Sequence, residues 1–144
     1  IFSLELLSEM LAEDAFLGKG TLAVTRIENT AASKNVIPDS CTFVIDRRLT
    51  LGETEAKALA EVEGLIAREN MRAQGSLAEF DYTSYTGYRC RDVEHYPAWV
   101  VPENHHLVQA TSRTVREVTG ERTIIGKWDF STDGVYTMGI AGIP

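Results

Sequence analysis

The stretch Asn35-Val36-Ile37-Pro38-Asp39-Ser40-Cys41-Thr42-Phe43-Val44-Ile45-Asp46-Arg47-Arg48 decides the fold, because it begins as a turn and ends as a strand. The proline fixes its own φ and pushes the isoleucine before it toward extended geometry, which is typical of a turn. From Cys41 onward, apolar and polar side chains alternate, so we expect a strand. One face carries Cys41, Phe43 and Ile45, and the other carries Thr42, Val44, Asp46 and Arg48.

The polar face of this strand has two interpretations. In the first, the strand is half-buried, and Asp46 and Arg48 pair with each other in solvent, which periodicity alone favours. In the second, the strand is a rigid element that presents ions at a fixed place to a ligand. The pattern of the residues leaves both interpretations open.

The neighbouring segments predict two helices and two further strands. Apolar residues recur at helical spacing over 1–15, and β-branched residues dominate 21–27. Thr50 and Glu53 have the spacing of a capping box, which predicts that a second helix begins here. Residues 80–85 alternate and predict a further strand. The order helix, strand, strand, helix, strand indicates an α+β fold, a ferredoxin-like split βαβ arrangement whose first strand is missing.

The second half of the chain follows a different pattern. Periodicity is lost over 89–102, which indicates a crossover between two domains. A helix over 104–119, a short strand at 123–125, a loop over 128–133 and a helical turn over 135–141 make up one half-unit of an α/β sheet. We therefore divide the chain into a domain over 1–88, incomplete at its start, and a partial α/β domain over 89–144. Its two ends are those expected of an excised or incomplete segment.

Composition and charge exclude several classes of function. The 144 residues carry a net charge of -7, so nucleic acid is not expected as a partner, because phosphate binding needs clustered Lys and Arg. The apolar runs are too short to cross a membrane, so no membrane partner is expected. Cys41 and Cys90 lack the spacing of a metal or redox motif, which predicts two buried or half-buried reduced thiols in a cytoplasmic protein.

The sequence lacks motifs for metal binding and for nucleophilic catalysis. Its histidines, His95, His105 and His106, have no spacing that converges on one ion, so no metal site is expected within these residues. No Gly-x-Ser-x-Gly motif occurs, and no catalytic residue is predicted. The turn Ser131-Thr132-Asp133-Gly134 can either aim hydroxyls and amides at a ligand or cap the next helix, and the residues alone favour the cap.

Three motifs in order carry a resemblance to a known family. They are Phe16-Leu17-Gly18-Lys19-Gly20-Thr21-Leu22, the stretch 35–48 quoted above, and Phe130-Ser131-Thr132-Asp133-Gly134 leading to Gly142-Ile143-Pro144. Together they resemble the M20 family of zinc-dependent peptidases and deacylases over nearly the whole chain, and most closely its selenium-metabolism hydrolase branch. The resemblance implies that 1–88 is the lid or dimerisation domain and that 89–144 returns to the catalytic domain.

The resemblance also implies roles for four residues. Asn35 and Arg48 would hold the carboxylate of a small-molecule or peptide substrate, commonly in the active site of a partner subunit, in a homodimer formed through the lid domain. Arg47 adjoins Arg48 and points to the other face, so the choice between the two arginines is a hypothesis that rests on the register of the strand. A planar guanidinium suits this role better than an ammonium group does. Thr132 and Asp133 would lie beside the zinc-bound substrate. Two zinc ions are expected in the intact enzyme, with all of their ligands outside 1–144.

The intact protein is therefore expected to be a zinc-dependent amide or peptide hydrolase, either an M20-like peptidase or an N-acyl amino acid deacylase. A zinc-activated water would attack the carbonyl, and this chain alone would be inactive. The alternative is a non-catalytic ferredoxin-like module for dimerisation or ligand sensing, whose exposed strand edge pairs with a partner.

Overall fold

The computed structural model describes residues 2–144 and has an α+β fold, which confirms the predicted class. The helices are α1 Phe2–Glu9, α2 Glu55–Arg68, α3 His106–Thr119 and a short π-helix, Val135–Ile140. The strands are β1 Glu13–Asp14, β2 Gly18–Lys19, β3 Thr21–Asn29, β4 Cys41–Arg48, β5 Glu79–Thr83 and β6 Arg89–Val93. They form three antiparallel pairs, β1 with β2, β3 with β4, and β5 with β6.

The β3–β4 hairpin contains the longest strands of the described residues, and it confirms the strand predicted from Cys41. Its register runs from Thr21 opposite Arg48 to Asn29 opposite Cys41. Thr25 is an extra residue in β3, so the pairing shifts there in a β-bulge. The loop 30–40 closes the hairpin beside Cys41, and Arg48 therefore lies at the opposite, open end.

Helix α1 ends at Glu9, earlier than the predicted end near residue 15. The carboxylate of Asp14 accepts the backbone N–H groups of Leu17 at 2.7 Å and Phe16 at 2.8 Å. These hydrogen bonds, that of Leu17 first, lower the pKa of Asp14 and hold the turn between β1 and β2. A side chain that satisfies nearby backbone groups in this way competes with the helix, which explains the shorter element.

The prediction that α2 begins at Thr50 was wrong. The carboxylate of Glu53 does accept the Thr50 N–H at 3.0 Å, as in a capping box, but the Thr50 hydroxyl donates to the Gly18 carbonyl at 2.7 Å. The helix begins later, at Glu55, where the Thr54 hydroxyl accepts the N–H group of the third helical residue. The Thr50–Glu53 turn therefore joins α2 to the β1–β2 hairpin.

The crossover predicted to begin at Arg89 was also wrong at its start, because Arg89–Val93 forms β6 and pairs with β5. Arg89 pairs with Asp81 at 2.5 Å, and Arg91 pairs with Glu79 at 2.6 Å. These cross-strand ion pairs favour a local hairpin. In a split βαβ unit the two strands joined through a helix have another strand between them, and among residues 2–144 no strand bridges β4 and β5. The four-stranded sheet therefore stays a prediction.

The second half of the described chain contains fewer regular elements than expected. Helix α3 begins two residues later than predicted and ends at Thr119, and the next residue, Gly120, adopts φ 73° as expected of a C-cap. Residues 123–125 belong to no helix or strand of the described chain, so the predicted strand there was wrong. The predicted helical turn over 135–141 is confirmed as the π-helix.

The chain leaves much of its apolar surface exposed. Its accessible surface is 11278 Å², whereas a compact monomer of 15.9 kDa has about 7,400 Å². The buried apolar residues of the described chain are Leu11, Leu65 and Val135. Cys41 is exposed, against expectation, and Cys90 is half-buried. No helix between residues 2 and 144 combines the length and the apolar character needed to cross a bilayer.

Candidate functional site

Two neighbouring arginines at the end of β4 lie in opposite surroundings. The Arg47 side chain is 9% exposed, whereas the Arg48 side chain is 55% exposed. Successive side chains of a strand point to opposite faces, so the register that turns one arginine inward turns the other outward. Of the two, only Arg48 is therefore accessible to a ligand in solution.

The Arg47 guanidinium lies in a buried ionic cluster. Its Nη2 donates to Glu53 Oε1 at 2.6 Å and to Glu61 Oε2 at 3.3 Å, and its Nη1 donates to the Arg48 carbonyl at 2.6 Å. The Glu53 side chain is 1% exposed, and Lys57 lies 3.5 Å from the same carboxylate. A buried charge is tolerated when it is paired and hydrogen-bonded, as both Nη atoms are here, whereas the buried Arg47 Nε has no hydrogen-bond partner among the described residues.

The carboxylate of Glu53 stays ionised within this cluster. Burial acts to raise its pKa, but the Thr50 N–H, the Arg47 guanidinium and Lys57 outweigh burial, so the pKa is lowered from its usual value of 4.5. The carboxylate therefore carries its charge at neutral pH, and the pair with Arg47 is a true ion pair.

The cluster requires a residue without a side chain at Gly20. A Cβ atom at this position would lie 2.7 Å from Arg47 Nη1, and 3.0 Å from both the Arg48 carbonyl oxygen and Glu53 Oε2. Contacts this short force neighbouring atoms to move. Gly20, the first residue after β2, thus allows the guanidinium to lie against the backbone, which explains part of the Gly-Lys-Gly motif.

The Arg48 guanidinium faces solvent and binds two groups of its own chain. Its Nε and Nη2 donate to the Asp46 carboxylate at 3.0 and 3.1 Å, and its Nη1 donates to the Asp129 carbonyl at 3.1 Å. The expected solvated pair of Asp46 and Arg48 is thus confirmed. Because exposed ion pairs stabilise a fold by only about 0–1 kcal/mol, another carboxylate can compete for this guanidinium at little cost.

The contact with Asp129 brings Arg48 to the segment that carries Thr132 and Asp133. The Thr132 hydroxyl accepts the Gly134 N–H at 3.2 Å, and the Thr132 and Asp133 carbonyls accept N–H groups of the following π-helix. The N-cap residue of the π-helix is Gly134, which makes no side-chain capping hydrogen bond, so the turn holds the helix start through its backbone carbonyls and not through the side-chain cap that the residues alone favoured. The Thr132 hydroxyl keeps its own proton, so it can still donate a hydrogen bond to a ligand.

Trp99, which no sequence motif singles out, shapes this turn. Its ring lies against Gly134, where a Cβ atom would clash with Trp99 Cζ2. Pro97 contacts the π-helix in the same way at Gly139, at 3.2 Å from the position of a Cβ atom. The irregular segment before α3 thereby packs against the turn and the π-helix, and the absence of side chains at the two glycines leaves space for Trp99 and Pro97.

Asn35 does not share a site with Arg48 inside one chain. It lies exposed in the loop 30–40, at the closed end of the hairpin. Seven residue steps along β4, at about 3.3 Å each, separate Cys41 from Arg48 by about 23 Å. The structure therefore brings Arg48 close to the segment of Thr132 and Asp133, and it leaves Asn35 at the other end.

The titratable groups of the described residues do not make a zinc site. No group of three or more His, Cys, Asp and Glu side chains between residues 2 and 144 is arranged to hold a metal ion. His95 lies 3.3 Å from Glu55 in a cavity of about 220 Å³ that Tyr136 also lines. The His105 ring caps α3 through Nδ1, which accepts the Leu107 N–H at 3.3 Å. A zinc ion would need more converging ligands than these.

The buried cluster was missed by sequence reasoning although the sequence contains a signal for it. Alternation from Cys41 places Arg47 on the apolar face of β4, and a charged residue on such a face needs a buried partner. A glutamate follows six residues later, but we interpreted Glu53 as a capping residue. The Glu55–His95 contact left no signal, since 40 residues separate the two in sequence.

Comparison with known proteins decides the family. A sequence profile described as the peptidase dimerisation domain of the M20 family matches residues 3–74, half of the chain. The chain belongs to the M20 family. The profile contains the β3–β4 hairpin, both arginines and all of α2.

Two curated relatives extend the likeness to nearly the whole chain. The uncharacterized protein YgeY of Escherichia coli strain K12 and that of Escherichia coli O157:H7 are each 42% identical to it over 141 residues. The alignment covers 98% of this chain and 35% of each relative, so the chain spans about a third of the length of these relatives. No solved structure gives a significant match.

Proposed function

We propose that the intact protein is a zinc-dependent amide or peptide hydrolase, and that this chain supplies its dimerisation surface and its carboxylate-binding arginine. Membership of the M20 family supports the reaction class, and the match of 3–74 to a peptidase dimerisation domain supports the surface. In this proposal the lid domain covers 1–88 together with β6, which pairs with β5. The rest of 89–144 returns to the catalytic domain, and the protein belongs to the selenium-metabolism hydrolase branch. Both zinc ions would be held by residues outside 1–144.

The observation that carries the proposal is the exposed Arg48 guanidinium beside a buried twin. A substrate carboxylate would replace Asp46 and accept two parallel N–H groups from Arg48, a geometry that fits a guanidinium fork. The contact with Asp129 would keep the fork directed toward the turn of Thr132 and Asp133. The Thr132 hydroxyl would donate a further hydrogen bond to the bound substrate, and Asp133 would line the same side.

A homodimer explains how Asn35 can join this site. If two copies pair edge to edge through the same strand about a two-fold axis, the strands run antiparallel, and the closed end of one hairpin meets the open end of the other. Asn35 of one subunit would then lie beside Arg48 of the partner subunit. The large exposed surface of 11278 Å² supports such an association.

The experiment that tests the proposal measures hydrolysis by the full-length protein, with and without a chelator. The substrates are dipeptides and N-acyl amino acids, each compared with its C-terminal amide. Arg48→Gln is expected to raise KM for the carboxylates by about tenfold or more and to leave the amides unchanged, because a hydrogen bond between charged groups contributes roughly 1.5–3 kcal/mol. Absence of chelator-sensitive hydrolysis, or equal effects on both substrates, would contradict the proposal.

Arg26→Gln is the matched control for this experiment. Arg26 lies on the same hairpin, is 64% exposed and forms a surface ion pair with Glu28 at 3.4 Å. Its loss removes the same charge without touching the proposed site, so KM for both substrate types should stay unchanged. An equal effect of the two substitutions would mean that only net charge matters.

Mixing two variants, each impaired toward carboxylate substrates, tests the shared site. If Asn35 and the partner's Arg48 form one site, a dimer of one Asn35→Ala chain and one Arg48→Ala chain contains one intact site. Activity should therefore return when the two variants are unfolded and refolded together. No recovery would mean that each site takes both residues from one chain, and the edge-to-edge arrangement would be wrong.

One observation favours a second candidate, a non-catalytic module for dimerisation or ligand sensing. Both strands of the β3–β4 hairpin have an outer edge that pairs with no other strand in residues 2–144. Free edges of this kind accept a strand from a partner. This candidate predicts a stable dimer and carboxylate binding at Arg48, but no turnover of any substrate in the presence of zinc.

A further inference from the structure

We infer that the buried Arg47–Glu53 pair is a positioning element that fixes the direction of Arg48. This inference rests on the proposed function, in which Arg48 binds the substrate carboxylate. Arg47 itself is too deeply buried to touch a ligand, so it acts through its neighbour. Its Nη1 donates to the Arg48 carbonyl at 2.6 Å and thereby holds the peptide unit that follows Arg48.

The other arm of the Arg47 guanidinium is anchored to a fixed frame. Its Nη2 donates to Glu53 at 2.6 Å, and Glu53 in turn accepts the Thr50 N–H at 3.0 Å. The Thr50 hydroxyl donates to the Gly18 carbonyl at 2.7 Å. Thr50 and Glu53 are among the most buried residues of the described chain. The backbone at the end of β4 is therefore joined, through side chains that water does not reach, to the β1–β2 hairpin.

The segment 127–129, which contacts the Arg48 guanidinium, is also joined to the β1–β2 hairpin. The Lys127 ammonium donates to the Leu17 carbonyl, and two residues later the Asp129 carbonyl accepts Arg48 Nη1 at 3.1 Å. The contacts thus close a ring from the hairpin through Glu53 and Arg47 to Arg48, and back through 127–129. Both the backbone and the guanidinium of Arg48 are therefore linked by hydrogen bonds to the β1–β2 hairpin, which is the arrangement expected of a side chain whose direction matters for binding.

The choice of an ion pair for this task has a physical reason. Apolar residues of similar volume often stabilise a fold as well as a buried ion pair does, so stability alone does not explain it. A guanidinium, however, offers donors in a rigid fork, and this one directs Nη2 to Glu53 while Nη1 grips the backbone. A lysine at the same place would carry its three donors on a single nitrogen, without the two separated Nη atoms that contact Glu53 and the Arg48 carbonyl.

The test compares two substitutions that disturb the fork in different ways. Arg47→Lys keeps the charge and loses the fork, whereas Gly20→Ala keeps both residues and displaces the guanidinium by its Cβ atom. In the full-length protein both are expected to raise KM for a carboxylate substrate by about tenfold, the effect of about 1.4 kcal/mol, with kcat unchanged. KM for the matched C-terminal amide should not change. A general loss of structure would affect the two substrates equally.

Glu63→Gln is the control, because it removes an exposed carboxylate from the same helix, α2, outside the cluster. It should leave both KM values unchanged. If Arg48→Gln separates carboxylate from amide but Arg47→Lys and Gly20→Ala do not, the positioning role is wrong and the proposed function stands. If Arg48→Gln itself has no selective effect, the proposed function fails.

A readout without substrate separates the two ideas further. In the arginine side-chain NMR spectrum, the Arg48 Nε–H should give a distinct signal in the wild type, since Asp46 and the Asp129 carbonyl hold the guanidinium. Arg47→Lys and Gly20→Ala are expected to move this signal toward the average of mobile arginines. Should Glu61→Gln, which removes only the contact at 3.3 Å, produce a larger change than either, the ring of contacts would be wrong.

Discussion

The two faces of β4 hold the same kind of side chain for different purposes. Arg47 and Arg48 each bind a carboxylate, at 2.6 and 3.0 Å, but the first lies inside a buried cluster and the second lies in solvent. The comparison shows that the N–O distance of an ion pair does not indicate how much the pair contributes to stability. Burial decides this contribution. Removing one partner of a buried pair leaves a charge without hydration, whereas an exposed charge that loses its partner is hydrated by solvent.

The largest effect that follows from this comparison is on stability. Glu53→Ala removes the main partner of Arg47 and is expected to lower the free energy of unfolding by about 3–5 kcal/mol, because the guanidinium stays buried and poorly paired. Asp46→Ala removes the partner of Arg48 and should cost less than about 1 kcal/mol. Urea unfolding of both variants measures the difference. Equal losses of unfolding free energy in the two variants would contradict the claim that burial decides the contribution of each ion pair.

A second effect separates the two faces by pH. The pKa of Glu53 is lower in the folded than in the unfolded chain, so its contribution to stability is complete above the usual value of 4.5 and is lost as the pH falls through the lowered pKa. The free energy of unfolding should therefore decrease as the pH is lowered from 4.5 through the lowered pKa, and this decrease should be smaller in Glu53→Gln.

Asp14 and Asp81 also have lowered pKa values, through backbone N–H groups and through Arg89, so part of the acid dependence should remain in Glu53→Gln. Unfolding curves collected from neutral to acid pH give the slope for each protein. A slope that is the same with and without the Glu53 carboxylate would mean that the buried pair is not what acid disrupts.

The smallest effect concerns affinity at the exposed face. Asp46 occupies the fork of Arg48, so Asp46→Asn is expected to lower KM for carboxylate substrates a few-fold, within the roughly 1 kcal/mol that an exposed pair contributes. Glu28→Gln removes the partner of Arg26 in the same way and should not change KM. A higher KM in Asp46→Asn would show that Asp46 orients Arg48 instead of competing for it.

The sequence alone predicted the parts of the fold that depend on local pattern. Strict alternation identified β4, and a glycine in the cap position identified the end of α3. The motifs around Gly20, Pro38 and Gly134 led to the family. In each of these motifs a glycine or a proline occurs where the backbone turns or is closely packed, and such a requirement is local to the sequence.

What the sequence could not predict depends on contacts between distant segments. The start of α2 shifts because Thr50 binds the Gly18 carbonyl, 32 residues away in the sequence. The missed strand β6 differs, because its exposed ion pairs with β5 join nearby residues. The burial of Arg47 and the reach of Arg48 to Asp129 likewise depend on tertiary structure. Asn35 and Arg48 share a motif of fourteen residues, and yet the hairpin carries them to opposite ends.

The most direct test of the division between the two arginines is an NMR titration of their side-chain Nε–H signals, assigned with Arg47→Lys and Arg48→Gln. The titrants are an N-acyl amino acid and its amide. The account predicts that the carboxylate shifts the Arg48 signal, that the amide does not, and that the Arg47 signal stays in place with both. A shift of the Arg47 signal with the carboxylate, or an Arg48 signal that responds equally to both titrants, would contradict it.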